Sequence, residues 1–413
     1  MPGPEVSQAT KSARLKNVGK NISLILVSLL ISLAICEVAL RFYNPLGFRI
    51  KGDDIILPAN KTEILYHDKV TKIDPVVVHH NNSLGFKGPE PPKDFADWLT
   101  IVTVGGSTTE CLEIAADKTW PYQLGVKLQQ NFNKLWLNNA GFCGHSTYGH
   151  YILMKNFLSK LKPKVAVFLL GINEVGVSNP REFDTRMSTK LSFRSLDKFL
   201  ASLAYHSEVA AASLNLYRYL FPKSVQLQGQ RKMGELDLTT LANMWLSPGE
   251  KAALLKTHAE KYAPAYEVRL RRLLQITREN QIIPVLLTQP VVYGPVQDDL
   301  TGLDLSKIVV ANGMNGEIGW QVLELYNDVT RRVGAEAGVL VIDEAREMPK
   351  SSRYYYDLMH FSNAGAEKFA EIAAQVLTPY LARKFRSFAK TAPAGQVTAG
   401  QVTATPAPSS QAR

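Results

Sequence analysis

Short apolar runs alternate with longer helical patterns through the middle of this chain, and that alternation constrains the fold most strongly. Residues 165–170 form a continuous apolar run bounded by turn residues, and residues 99–104 form a short run of apolar and β-branched residues. Both patterns are typical of strands buried on both faces. We therefore expect an α/β domain whose parallel central sheet is covered by helices on both faces. Further strands are predicted over residues 135–139, 282–288 and 339–342, and helices over residues 120–132, 149–161, 266–280, 320–337 and 364–382.

The sequence divides into five predicted segments. The long stretch between the third strand and residue 282 is too long for a loop, and we interpret it as a helical cap. The last segment is rich in Ala, Pro, Thr and Gln and repeats Gly-Gln-Val-Thr-Ala, so we expect it to be disordered. The predicted segments are a basic N-terminus (1–21), a transmembrane helix (22–40), a linker (41–95), a folded domain (96–385, with the cap over 174–281) and a low-complexity tail (386–413).

Residues 22–40 predict a membrane anchor. Fifteen of these 19 residues are apolar, and a helix of that length spans about 28 Å, close to the hydrocarbon thickness of a bilayer. Four basic residues precede the run, so we expect a single-pass protein with its N-terminus in the cytoplasm. In a bacterium with two membranes, the folded domain would then lie in the periplasm, anchored to the inner membrane.

Two alternatives to an uncleaved anchor remain open. A cleaved signal peptide needs small residues before the cut, and Ala34-Ile35-Cys36 fits that pattern poorly. A lipoprotein signal would place a small residue where Ile35 stands. The net charge of +10 arises largely from the two ends of the chain, and without a nucleic-acid-binding motif we expect no nucleic-acid partner.

Ser107 is a candidate nucleophile because of its place after the first strand. It lies in Gly105-Gly106-Ser107-Thr108-Thr109, where small residues let a substrate approach and a helix start supplies N–H donors. The alternative is an ordinary strand-to-helix turn capped by Ser or Thr. A phosphate-binding loop would require a Gly-Lys-Thr/Ser ending, which this segment lacks.

Asp357 and His360 form a candidate base pair before the last predicted helix. A serine hydroxyl is a weak nucleophile and needs a base, and an imidazole held by a carboxylate supplies one. Asp and His three residues apart on a turn can reach the same site, although two ordinary turn residues would give the same pattern.

Gly144 and Asn173 follow the second and third strands of the predicted sheet. A glycine N–H and an asparagine amide are suitable donors to an oxyanion. Taken separately, each motif is also typical of a simple turn.

These four motifs, in this order and each at a strand end, resemble the blocks of the SGNH/GDSL hydrolases from about residue 81 to 382. The resemblance implies a flavodoxin-like α/β/α fold. No Cys/His cluster has zinc spacing, and we expect neither a metal nor a cofactor. It implies Ser107 as nucleophile and His360 as base with Asp357 as its partner. Gly144 and Asn173 would join the Ser107 N–H as oxyanion donors. Gly106 stands where the family has Asp, which is similar to its membrane-anchored Gly-Gly-Ser-Thr-Thr variant, and Glu174 replaces a second Asp.

The expected function is hydrolysis of an O-acyl ester of a small molecule or polysaccharide outside the cytoplasmic membrane. Transfer of the acyl group to a sugar hydroxyl needs the same triad and stays open. A non-catalytic polysaccharide-binding protein is the alternative from another class, and retention of all the expected site residues argues against it.

Cys111 and Cys143 would be neighbours in such a site, because each lies close in sequence to an oxyanion donor. A disulfide between them is geometrically possible if their Cα atoms lie within about 7 Å. Two buried thiols that pack as hydrophobic groups are the alternative.

Overall fold

The structure is a computed structural model that describes residues 8–42, 50–51, 54–178, 180, 203, 206–213 and 235–390. Its helices are α1 (Gln8–Phe42), α2 (Ser107–Glu110), α3 (Trp120–Gln129), α4 (Thr147–Leu153), α5 (Ser159–Leu161), α6 (Pro248–Thr257), α7 (Ala263–Glu279), α8 (Gly316–Glu336), α9 (Glu344–Glu347) and α10 (Asn363–Lys384). Its strands are β1 (Ile50–Lys51), β2 (Asp54–Ile55), β3 (Thr62–Tyr66), β4 (Val76–His80), β5 (Leu99–Gly105), β6 (Leu135–Asn139), β7 (Val165–Leu170), β8 (Ile283–Thr288) and β9 (Leu340–Ile342).

Strands β5 to β9 form the parallel sheet that the apolar runs predict. Their spatial order is β6-β5-β7-β8-β9. In order of appearance along the chain this is 2-1-3-4-5, the flavodoxin-like order, whose switch point lies between the first and third strands. The predicted flavodoxin-like α/β fold is confirmed. Ligands of such folds bind at the carboxyl ends of the strands beside that switch point, here between β5 and β7.

Helices cover both faces of this sheet. On one face α3 packs against α10, with the rings of Trp120 and Phe369 4.8 Å apart. On the other face α4, α7 and α8 pack together, and Tyr266 and Tyr326 meet between α7 and α8. Every residue of β5 and β7 is buried, which explains why β7 is a continuous apolar run and why β5 carries no charged residue.

The N-terminal helix α1 contains the predicted anchor. Residues Asn17–Phe42 are long and apolar enough to cross a membrane, with a mean hydropathy of 2.5, and none of this stretch is buried. Signal sequences are also long and apolar. The length and composition of this helix are therefore compatible with an uncleaved anchor, a cleaved signal peptide and a lipoprotein signal.

The structure describes parts of three predicted segments and adds detail to two of them. The linker is not only loop: β3 and β4 pair as an antiparallel hairpin. Parts of the predicted cap, residues 179, 181–202, 204–205 and 214–234, lie outside the described residues, as does the tail after residue 390. Residues 386–390, which the sequence places in the tail, contact the domain: the Asn133 N–H donates to the Phe388 carbonyl, and the Lys390 N–H donates to the Asn131 carbonyl.

Candidate active site

Ser107 begins the short helix α2 directly after β5, at the switch point of the sheet. The Gly106 carbonyl accepts the N–H groups of Thr109 and Glu110 at 3.0 and 2.9 Å, so the chain turns sharply there. Cys111 then adopts a left-handed conformation with φ 50° and ends the helix after one turn. The strand end thus presents Ser107 at the first position of a helix, where its N–H has no partner within the helix.

Ser107, His360 and Asp357 form a continuous hydrogen-bonded chain. The Ser107 Oγ lies 2.8 Å from the His360 Nε2, and the His360 Nδ1 lies 2.6 Å from the Asp357 Oδ2. The other carboxylate oxygen of Asp357 accepts the N–H groups of Met359 and His360 at 2.8 and 2.7 Å. These two backbone bonds fix the carboxylate, because Asp357 closes a turn with its own side chain.

Burial and charge compete in this chain of side chains. Burial by itself lowers the pKa of His360, but the adjacent Asp357 carboxylate outweighs burial, and the pKa of His360 is raised above its ordinary value. Burial likewise opposes the charge on Asp357, yet His360 and the two N–H donors leave its pKa lowered. Tyr356 stacks on the His360 imidazole at 5.6 Å and 11°. The imidazole is therefore held in place and made more basic, as a general base requires.

Gly144 and Asn173 lie on loops that follow the strands on either side of β5. We call residues 140–147, from the end of β6 through the first residue of α4, the oxyanion loop, after the role that the sequence predicts for Gly144. Gly144 lies in it with φ 76°, a conformation that favours glycine. Asn173 follows β7, and its Nδ2 donates to the His145 carbonyl at 2.8 Å. Asn173 therefore contacts the oxyanion loop one residue after Gly144.

Sequence reasoning missed several charged residues that contact the oxyanion loop. The buried Glu110 carboxylate accepts the Cys143 N–H, and Lys87 and Arg269 each pair with a buried carboxylate in this region. The sequence identified Glu174 only as a departure from the family pattern and did not predict its contact with the oxyanion loop. A signal existed for Glu110, because an acidic side chain three residues after Ser107 on a one-turn helix has to lie near the site.

Cys111 and Cys143 are not joined by a disulfide. The Cys111 Sγ donates instead to the Thr108 carbonyl at 3.3 Å, and burial raises the pKa of its thiol to about 12. We call residues 105–111 the nucleophile turn, after the role that the sequence predicts for Ser107. A hydrogen bond of 2.6 Å from the Cys143 N–H to the Glu110 carboxylate joins this turn to the oxyanion loop, as a disulfide would have done.

Several solved structures are similar to this one at low sequence identity. An acetyl xylan esterase, AlAXEase, is 12% identical with a TM-score of 0.36, over 67% of this chain and 99% of that one. An acetylxylan esterase from Geobacillus stearothermophilus is 13% identical with a TM-score of 0.36, over 67% and 92%. The α/β hydrolase LAE5 from the metagenome of Lake Arreo, Spain, is 16% identical with a TM-score of 0.35, over 67% and 95%. No curated protein matches the chain.

A family-level match covers the folded domain. The model of the GDSL-like Lipase/Acylhydrolase family matches residues 103–368, more than half of the chain. That range begins within β5, four residues before Ser107, and ends within α10, after His360. The chain therefore belongs to the GDSL-like lipase/acylhydrolase family and is an esterase-type enzyme.

Proposed function

We propose that this protein is a serine ester hydrolase whose nucleophile is Ser107, whose general base is His360 and whose third triad member is Asp357. The observation that carries the proposal is the bond of 2.8 Å between the Ser107 Oγ and the His360 Nε2. The His360 Nε2 takes the hydroxyl proton as the Ser107 Oγ attacks the ester carbonyl, and Asp357 stabilises the imidazolium that results.

The reaction then proceeds in two balanced steps. The tetrahedral intermediate collapses, the bond between the carbonyl carbon and the alcohol oxygen breaks, and His360 returns its proton to the departing alkoxide. A water molecule next attacks the acyl-Ser107 ester and gives its proton to His360. Collapse of the second intermediate releases the carboxylic acid and restores the Ser107 hydroxyl.

Three donors would stabilise the oxyanion of each intermediate: the backbone N–H groups of Ser107 and Gly144 and the side-chain amide of Asn173. Asn173 uses one amide hydrogen for the His145 carbonyl at 2.8 Å, and its second is the one assigned to the oxyanion. The N-terminal position of Ser107 on α2 supports its own N–H as a donor.

The enzyme would be anchored in the inner membrane by α1, with its catalytic domain in the periplasm. The long apolar stretch of α1 and the basic residues before it support this arrangement. The Glu37 carboxylate, near the end of α1, also accepts the Ser207 hydroxyl at 2.8 Å and the Glu208 and Val209 N–H groups at 3.1 Å. These bonds join α1 to residues 207–209 of the predicted cap, and we take them to favour a retained helix over a cleaved signal.

The substrates would be O-acyl esters, including O-acetylated polysaccharide of the cell envelope. The test is turnover by the full-length protein in detergent of an aryl acetate and of acetylated xylan, each with and without an added sugar acceptor. Release of free acetate from both substrates, independent of acceptor, supports a hydrolase. Acetylation of the acceptor in place of acetate release would make the protein an acyltransferase, and no turnover of any ester would reject the proposal.

A further inference from the structure

Two buried carboxylates contact the oxyanion loop at different residues, and neither has a role in the proposed reaction. Glu110 and Glu174 are each only 1% exposed. Burying a carboxylate costs several kcal/mol unless a cation and hydrogen-bond donors compensate it. Two buried carboxylates that contact one loop are therefore expected to have a structural role there.

Glu110 joins the nucleophile turn to the middle of the loop. It lies three residues after Ser107 on α2, and its Oε2 accepts the Cys143 N–H at 2.6 Å. Its Oε1 accepts the Lys87 ammonium at 2.7 Å. Cys143 directly precedes Gly144, so the carboxylate holds the peptide next to the proposed oxyanion donor.

Lys87 reaches this position through the linker that precedes the domain. The Asn82 Oδ1 accepts the N–H groups of Leu84 and Phe86 at 3.0 and 3.1 Å, which shapes a turn just before Lys87. Lys87 and Asn139 then exchange backbone hydrogen bonds at 2.9 and 3.0 Å, which sets the lysine beside the end of β6. The motif at residues 81–87 thus supplies the cation for Glu110.

Glu174 joins the Asn173 turn to the end of the same loop. Its Oε1 accepts the Thr147 N–H at 2.5 Å, and its Oε2 accepts the Arg269 guanidinium at 2.5 Å. Arg269, from α7, also donates to the Thr147 Oγ1 at 3.1 Å. A residue next to Asn173 is therefore tied to the loop three residues after Gly144.

We infer that Glu110 with Lys87 and Glu174 with Arg269 are positioning residues that hold the oxyanion loop against the nucleophile turn and the Asn173 turn. The inference rests on the proposed function, because it assigns these residues to the placement of the Gly144 N–H and the Asn173 amide. A donor displaced by about 1 Å stabilises the transition state much less while substrate still binds. The two ion pairs therefore act on kcat and leave KM nearly unchanged.

The first test replaces Glu110 in the full-length protein and measures aryl acetate turnover per site titrated with a fluorophosphonate. Loss of an oxyanion donor costs about 10²–10³ in kcat, and misplacement of one costs less, so we expect Glu110→Ala to lower kcat about 10- to 100-fold. Glu110→Gln keeps an oxygen that accepts the Cys143 N–H and should regain part of that loss. Glu371→Gln, which breaks an exposed pair with Lys368, is the matched control and should leave kcat unchanged.

The second test measures whether Glu174 acts through the oxyanion site. Glu174→Gln should lower kcat more in the wild type than in Asn173→Ala, because the part of its effect that acts through the Asn173 amide is already absent from that variant. Additive losses would overturn the inference for Glu174.

The outcomes separate this inference from the proposed function. Wild-type protein that neither turns over aryl acetate nor reacts with the fluorophosphonate would refute the function itself. Active wild type together with an unchanged kcat per titrated site in Glu110→Ala would overturn the positioning role alone. If Glu110→Ala does not fold, Lys87→Met leaves the carboxylate in place, and a loss of kcat without a change in KM supports the inference while an unchanged kcat overturns it.

Discussion

The side-chain amide of Asn173 occupies the space that a Cβ atom on Gly106 would need. A Cβ built on Gly106 would lie well inside van der Waals contact with the Asn173 Nδ2. The backbone of Gly106, with φ −83°, does not itself require glycine. We attribute the glycine that precedes Ser107 to Asn173, whose side chain lies against Gly106.

We expect Gly106→Ala to lower kcat by displacing the Asn173 amide, by up to the 10²–10³ that loss of one oxyanion donor costs. The fold should persist, because the clash is confined to one side chain. Gly125→Ala in α3 is the control, since a Cβ there would meet Leu137 at an ordinary 3.6 Å. Aryl acetate kinetics and circular dichroism of both variants check the prediction. Unchanged kcat in Gly106→Ala would show that Asn173 can move without effect on the reaction.

Asn173→Ala should itself lower kcat by about 10²–10³, the usual cost of one oxyanion donor. KM should change little, because the bond to the oxyanion strengthens mainly in the transition state. Steady-state kinetics with an aryl acetate measure both constants. A rise in KM at constant kcat would instead identify Asn173 as a substrate-binding residue.

The pH dependence of kcat/KM should report the raised pKa of His360. Only the neutral imidazole takes the Ser107 proton, so activity should rise with pH through a midpoint above the ordinary value of about 6.5. Asp357→Asn removes the charge that raises this pKa and leaves burial, which lowers it, so the midpoint should move to lower pH. The plateau rate should fall about 10⁴-fold. Asp328→Asn, an exposed carboxylate paired with Arg331, is the control, and an unmoved midpoint in Asp357→Asn would contradict the assignment.

The orientation of the anchor can be tested with reporters fused after residue 45. Basic residues before the apolar run predict a cytoplasmic N-terminus, so a phosphatase reporter should be active and a cytoplasm-dependent fluorescent reporter dark. The opposite pattern would reverse the topology, and release of soluble protein would mean that the helix is cleaved.

The sheet could be predicted from the sequence because its central strands are buried on both faces and appear as uncharged runs rich in apolar and β-branched residues. The pairing of Asp357 and His360 could likewise be predicted, since residues three apart on one turn are close in any fold. The β3–β4 hairpin was not predicted, because β3 is mostly exposed and carries no clear apolar alternation. The ion pairs beside the oxyanion loop could not be predicted, because their members are far apart in the sequence. Lys87 lies 23 residues before Glu110 and Arg269 lies 95 residues after Glu174, so only the fold shows which charges are paired.

Turnover of an aryl acetate by full-length Ser107→Ala, measured beside the wild type, tests whether Ser107 is the nucleophile. Loss of a triad nucleophile costs on the order of 10⁴-fold or more in rate. We predict a loss of that size with an unchanged circular dichroism spectrum, and a fluorophosphonate adduct that maps to Ser107 in the wild type and is absent from the variant. Turnover retained by Ser107→Ala, or an adduct on another residue, would show that Ser107 is not the nucleophile.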